Sequence, residues 1–105
     1  MKYNVGIDLV KISRFENKSI KFAKRILGNE EFNCYINLPD DKKTLFLARS
    51  WAIKEAIFKA DNSYFNFSQI DLKKENKVWK FKNFAISISH EEGFLVAFVI
   101  VDKEI

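Results

Sequence analysis

The stretch at residues 48–60, ARSWAIKEAIFKA, constrains the fold more than any other part of the chain. No Gly or Pro interrupts it, and every residue except Ser50 is a fair-to-good helix former or an aromatic. The spacing therefore predicts the C-terminal half of a long helix that begins near Asp40 or Asp41. Ala48, Ala52, Glu55 and Lys59 fall at i, i+4, i+7 and i+11 and share one stripe. The two small residues on that stripe let a second backbone come close, and Glu55 and Lys59 sit one turn apart beside it. By spacing alone the pair also fits an ordinary surface contact worth ~0.2–0.5 kcal/mol. Its neighbours Trp51, Ile53, Ile57 and Phe58 argue that much of the helix is buried, where charges need partners.

Ahead of this helix, residues 3–10 alternate as a strand. Tyr3, Val5, Ile7 and Leu9 point one way, and Asn4, Gly6, Asp8 and Val10 the other. Gly6 leaves room for a close approach on the second face. Asp8, disfavoured in strands, either ends the strand or serves something on that face. Ser13 and Glu16 have the spacing of a capping box, which predicts a helix from about Arg14 with Ile12, Phe15, Phe22 and Ile26 as its apolar stripe. Arg14, Lys18, Lys21 and Arg25 make a separate cationic stripe, and Gly28 is a candidate C-cap. Residues 11–25 hold six basic side chains against Glu16 alone, which reads as a docking surface. Asn29, Glu30 and Glu31 open a short helix to about Leu38, and Pro39, Asp40 and Asp41 start the long one.

Beyond Asp61, Asn62 and Ser63, which stop the long helix, the chain reads as strands at 70–72, 78–81, 84–89 and 94–101. Turns are expected at Asn76-Lys77 and at Glu91-Glu92-Gly93. The last strand is apolar on both faces, which raises the expectation of a subunit interface. The fold class is α+β: an N-terminal strand, three helices, then a C-terminal antiparallel sheet, in a single domain spanning 1–105. Apolar residues make up 48% of the chain, eleven of the residues being Phe, so it is globular rather than disordered. Met1 leads directly into the strand pattern, without a signal peptide, and no run approaches a membrane span. A lone Cys34 supports neither a disulfide framework nor a metal cluster, so the expected home is the cytoplasm. The net charge of +4 favours an acidic partner: nucleic acid, a phosphorylated ligand or an acidic protein.

Asp8, Glu55, Lys59 and His90 are the polar residues in the most apolar or strand-like settings. Two carboxylates on separate elements suit a hard cation such as Mg²⁺, and a Lys one turn away suits a leaving phosphate. There is no Walker loop, Ser-His-Asp set or zinc spacing. The residues alone support a basic α+β domain with a candidate magnesium–phosphate site.

Three segments resemble the holo-acyl-carrier-protein synthases, the small bacterial 4'-phosphopantetheinyl transferases. They are GIDLVKISRFE at 6–16, WAIKEAIFKA at 51–60 and SISH at 87–90. Leu27 and Glu31 resemble a weaker family element, with Gly28 where Thr is common. The resemblance implies transfer of phosphopantetheine from coenzyme A to a serine of acyl carrier protein, for fatty acid and lipid biosynthesis. Asp8 and Glu55 would hold Mg²⁺, and Glu55 would take the serine proton, directly or through a metal-bound water. Lys59 would offset charge on the pyrophosphate, with Ser89 and His90 near coenzyme A. Arg14, Lys18, Lys21 and Arg25 would meet the acidic carrier. The sites would lie between subunits of a homotrimer, with neither nucleic acid nor membrane as partner. The sequence departs from the family pattern at Ser50 (where Arg is usual, Arg49 preceding it), at Asp61-Asn62-Ser63, at Asn76-Lys77 and at Leu95. A non-catalytic basic module binding carrier protein or RNA is the rival reading.

Overall fold

The computed structural model describes residues 2–104. Its elements are β1 (Tyr3–Lys11), a 3₁₀ helix (Ile12–Phe15), α1 (Ile20–Ile26), α2 (Asn29–Ile36), α3 (Asp40–Ala60), a 3₁₀ turn (Phe67–Gln69), β2 (Lys73–Glu75), β3 (Val78–Phe81), β4 (Phe84–Glu91) and β5 (Phe94–Asp102). The strands form one antiparallel sheet in the order β1-β5-β4-β3-β2, so the first and last strands of the chain are neighbours. The expected α+β class holds.

α3 is 21 residues long, about 31 Å at the helical rise. It lies across β1 and β5 and forms the centre of the core. Leu47, Ala48, Ala52, Ile53, Ala56 and Ile57 are fully buried against Leu95, Ala97 and Val99 of β5. The close backbone approach falls one turn later than the Ala48–Ala52 stripe suggests. A Cβ on Gly6 would stand 1.8 Å from the Ala56 carbonyl oxygen, so β1 crosses α3 where only glycine fits.

Four local expectations change. The helix expected from Arg14 is two pieces: the 3₁₀ helix, then a turn with Asn17 at φ 53°, then α1 capped by Ser19, whose oxygen accepts from the Phe22 amide at 3.1 Å. Ser13 caps nothing with its side chain, and its carbonyl instead takes the Glu16 amide. Gly28 is the N-cap of α2 rather than a left-handed C-cap, its amide bonded to Glu31 Oε1 at 2.7 Å. Residues 70–72 are a buried connection, not a strand, since Ile70 and Leu72 point into the core and β2 begins only at Lys73. Past the end of α3, Asp61 is extended, Asn62 stays outside the left-handed region, and its side-chain amide donates to the Phe58 carbonyl at 2.7 Å. The turns at Asn76-Lys77 and Glu92-Gly93 do use positive φ, as tight hairpins require.

One face of the sheet is left uncovered by helices. Antiparallel register puts Val5, Ile7 and Leu9 of β1 beside Ile100, Phe98 and Val96 of β5. Leu9 is 64% exposed, and Ile7, Val5, Phe94 and Phe98 are also exposed. The opposite side of β5 is fully packed, so the two-sided strand has its own core on one face only.

Candidate active site

Two crossing elements build the site. Gly6 lets β1 press against α3, and Asp8, two residues on, shares its face and arrives beside Glu55 and Lys59. The Lys59 ammonium donates to the Ile7 carbonyl at 2.9 Å and to Asp8 Oδ1 at 3.1 Å. It remains 50% exposed, whereas Asp8 is 14% exposed. Asp8 Oδ2 is buried and has no hydrogen-bond partner, an acceptor held open in a low-dielectric setting. Burial pushes the Glu55 carboxyl up, and the negative charge of Asp8 pushes it further, while Lys59 and Arg14 pull it back. A carboxylate whose charge is made costly by a second carboxylate beside it belongs to a donor set that a hard cation relieves. Among the described residues no group of three or more His, Cys, Asp or Glu converges, so this pair would leave most of a metal's shell to water and phosphate oxygens. The residues fit Mg²⁺ on those terms.

Arg14 belongs to this site more than to a helical stripe. On the 3₁₀ helix its guanidinium lies 5.1 Å from the Phe15 ring centre and 5.8 Å from that of Trp51, and its charge reaches Glu55. Lys21 and Arg25 ride α1, and Lys18 sits in the turn before it, 5.0 Å from the Phe22 ring. All four cations are exposed, but they are spread over the 3₁₀ helix, the turn after it and α1 rather than along one helical stripe.

Ser89 and His90 are not brought to the carboxylates within one chain. They lie on β4, paired with Val96 and Leu95 of β5, and β5 intervenes between β4 and β1. Two strand spacings amount to about 10 Å. Both are exposed. Ser50 is buried in α3, and Arg49 beside it stacks on Trp79 at 5.2 Å, with its Nε buried and unbonded. Arg49 lines an apolar hollow of about 610 Å³ with Leu38, Phe46 and Trp79, which does not include Asp8, Glu55 or Lys59.

The sequence reading missed Lys54. This lysine is completely buried and bonds Glu31 Oε1 at 2.6 Å, the Ile26 carbonyl at 2.7 Å and the Phe67 carbonyl at 3.0 Å. Its signal was present in the sequence, as a charge between Ile53 and Ala56 in the most apolar part of the long helix.

The fold and the site together define an α+β domain that carries a carboxylate pair beside a lysine. A family model, the 4'-phosphopantetheinyl transferase superfamily, matches residues 4–99, and the chain belongs to that superfamily. The holo-[acyl-carrier-protein] synthase of Mycoplasma mobile is 60% identical over 97 residues, covering 91% of this chain and 86% of that protein. The crystal structure of a holo-(acyl-carrier-protein) synthase from Bacillus anthracis in complex with CoA (3',5'-ADP) is similar with a TM-score of 0.79 at 30% identity, covering 92% of this chain and 93% of that one. That of the Neisseria meningitidis holo-[acyl-carrier-protein] synthase gives 0.83 at 25% identity, over 95% and 98% of the chains.

Proposed function

We infer that the chain transfers the 4'-phosphopantetheine group of coenzyme A to a serine of apo-acyl carrier protein, releasing adenosine 3',5'-bisphosphate, as a holo-acyl-carrier-protein synthase does. The observation that carries this reading is the meeting of Asp8, Glu55 and Lys59 in a chain 60% identical to such a synthase. In the reaction the serine Oγ bonds to the phosphorus that bears pantetheine. The bond from that phosphorus to the bridging oxygen breaks, and the electron pair leaves on the bisphosphate. Glu55, raised above an ordinary carboxylate by burial and by Asp8, takes the serine proton. Lys59 spends two of its three N–H donors on Ile7 and Asp8, which fixes the ammonium and leaves one for a pyrophosphate oxygen. Asp8 and Glu55 would hold Mg²⁺, which would supply charge neutralisation at the pyrophosphate. The rest is positioning, as in phosphoryl transfer generally.

The exposed cations Arg14, Lys18, Lys21 and Arg25 suit an acidic carrier. The bare apolar face of β1 and β5 suits a second copy of the chain, and a homotrimer would bring Ser89 and His90 of one subunit toward coenzyme A at the carboxylates of the next. Sedimentation at micromolar concentration checks this, and a fully active monomer would refute it. No helix among the described residues is long and apolar enough to cross a membrane, and a cytoplasmic setting for lipid biosynthesis goes with the activity. An RNA-binding module is less well supported, because Phe98 stands opposite Ile7 with Val5 and Leu9 to either side, and the one cation of β1 on that face is Lys11, opposite Phe94.

The deciding experiment incubates the protein with apo-acyl carrier protein, coenzyme A and Mg²⁺ and reads the intact mass of the carrier. A gain equal to one phosphopantetheine is expected, and no gain sinks the enzymatic reading.

A further inference from the structure

Lys54 does something that burial of a helix does not require. An ammonium has three N–H donors, and here each has an acceptor on a different element: the Ile26 carbonyl at the end of α1, Glu31 on α2 and the Phe67 carbonyl in the 3₁₀ turn. Glu31 Oε1 also receives the Gly28 amide, and Gly28 is itself packed so tightly that a Cβ would stand 2.0 Å from Asp71 Oδ1. Burial disfavours both charges, lowering Lys54 and raising Glu31. An apolar pair of the same volume would often serve stability equally well. What an ion pair adds is direction: three bonds at tetrahedral angles specify where the end of α1 must lie. α1 is only seven residues long and carries Lys21 and Arg25, and Glu55 is the residue next to Lys54.

We propose that Lys54 is a positioning residue for the transfer, its three-way clamp with Glu31, Ile26 and Phe67 setting the cations of α1 at a fixed place relative to Glu55. The proposal rests on the transferase reading above. A carrier that docks on α1 delivers its serine to Glu55 only as accurately as α1 is held, and among the described residues Lys54 is the one side chain bonded to the α1 backbone from the helix that bears the carboxylate. Coenzyme A and the carboxylate pair do not depend on this clamp, since Asp8 and Lys59 are ordered through β1 instead.

The test is Lys54→Met combined with Glu31→Gln, which removes both charges together and keeps an acceptor for the Gly28 amide. Three quantities are measured: amide hydrogen exchange of Ile20–Ile26 against the second half of α3, coenzyme A affinity, and kcat and KM for the carrier. Exchange in α1 is expected to accelerate while α3 keeps its protection. Coenzyme A affinity should stay within about twofold, and kcat/KM for the carrier should fall about ten- to a hundredfold, the scale of lost near-attack geometry. A merely structural role would lower coenzyme A affinity and carrier kinetics in parallel, and that result overturns the proposal. Unaltered exchange overturns the clamp, and faster exchange with unchanged carrier kinetics overturns its positioning role. Should the double variant not fold, Glu31→Gln alone, which leaves Lys54 its two carbonyls, is read by the same criteria. If the parent chain transfers nothing, the transferase reading falls by itself, and exchange in α1 still decides whether the clamp exists.

Discussion

Two lysine–carboxylate pairs lie five residues apart on α3, and they could hardly differ more. Lys54–Glu31 is closed at 2.6 Å, with side chains 0% and 5% exposed, and the ammonium is saturated. Lys59–Asp8 is looser at 3.1 Å, half open to solvent on the lysine side, and leaves Asp8 Oδ2 buried without a partner. Five helical positions turn the two lysines about 140° apart, so one looks into the body of the protein and the other out along β1. The Lys54 ammonium has no donor left for a ligand, although Glu31 Oε2, like Asp8 Oδ2, is buried without a partner. The open pair has a free donor on an exposed ammonium, an acceptor, and a neighbouring carboxylate whose charge is held at a cost. What separates the two is therefore access: the closed lysine is spent on the fold, and the open one can still meet a ligand.

The sharpest way to break the comparison is to neutralise each half of the open site. Glu55→Gln should lower the transfer rate ~10²–10⁴-fold, the usual contribution of a proton acceptor. Asp8→Asn should lower it through metal loss and recover in part at high Mg²⁺, because the acceptor remains. Lys59→Ala should slow transfer at little change in the Mg²⁺ dependence. None should unfold the protein. Glu55 has its carboxyl raised in the fold, so its charge costs stability once pH rises from the unfolded value of ~4.3 through the folded one. Glu55→Gln should thus match or exceed the parent in thermal stability at neutral pH and lose that advantage in acid. Rate curves against Mg²⁺ that match the parent for Glu55→Gln and Asp8→Asn would make the pair structural.

The closed pair should behave in the opposite way. Lys54→Met alone strands Glu31 with a buried, unpaired charge, and such losses run to ~3–5 kcal/mol. Chemical denaturation checks this, against Lys59→Met, where an exposed pair is worth ~0–1 kcal/mol. Equal destabilisation by the two substitutions would erase the distinction drawn here.

That distinction was only half legible in the sequence. The long helix was readable to its ends, because residues 40–60 contain no breaker and are flanked by Pro39 and the Asp61-Asn62-Ser63 group. Asp8, Glu55 and Lys59 stood out because strand period and helix stripe each isolate them, and the structure does bring them together. Lys54 did not stand out: at helical spacing it is a charge in an apolar run, and only tertiary packing supplies the Ile26 and Phe67 carbonyls that satisfy it. The split of the basic helix was hidden for a related reason. Ser13 carries the stronger local cap signal, with Glu16 three residues on, yet Phe15 packs into the core, the chain turns at Asn17, and Ser19 caps α1 instead. Nothing in the strand period of β4 tells that β5 inserts between it and β1, which keeps Ser89 and His90 away from the carboxylates within one chain.

Gly6 offers a further test of the open site. Gly6→Ala would place a methyl group 1.8 Å from the Ala56 carbonyl oxygen and 3.0 Å from the Ala60 amide nitrogen, both rigid backbone. β1 must lift away from α3, an overpacking cost of ~1–3 kcal/mol. The lift carries Asp8 away from Glu55, so transfer should fall together with stability, while the Lys54 clamp on the other side of α3 is undisturbed. Gly93→Ala, with φ +84° but nothing within 4 Å, should cost stability alone. A Gly6→Ala variant that keeps the full transfer rate would mean that the crossing does not set the site.

The smallest effect expected separates two cations that the sequence placed on one stripe. Arg14 and Lys21 should both help to hold an acidic carrier, and that help should fade as salt shortens the Debye length to ~10 Å at 0.1 M. Arg14 alone also reaches Glu55, where its charge pulls the carboxyl down against burial and Asp8. Glu55 must be ionised to accept the serine proton, so the rate climbs as pH passes its pKa. Removing a nearby positive charge favours the protonated form and moves that pKa up. Arg14→Ala should therefore shift the acid limb of the pH–rate profile to higher pH, measured at saturating carrier so that docking losses are hidden. Lys21→Ala, remote on α1, should leave the limb where it is and raise only the carrier KM. Identical acid limbs for the two variants would return Arg14 to the docking surface and leave the carboxylate site with Lys59 as its only effective cation.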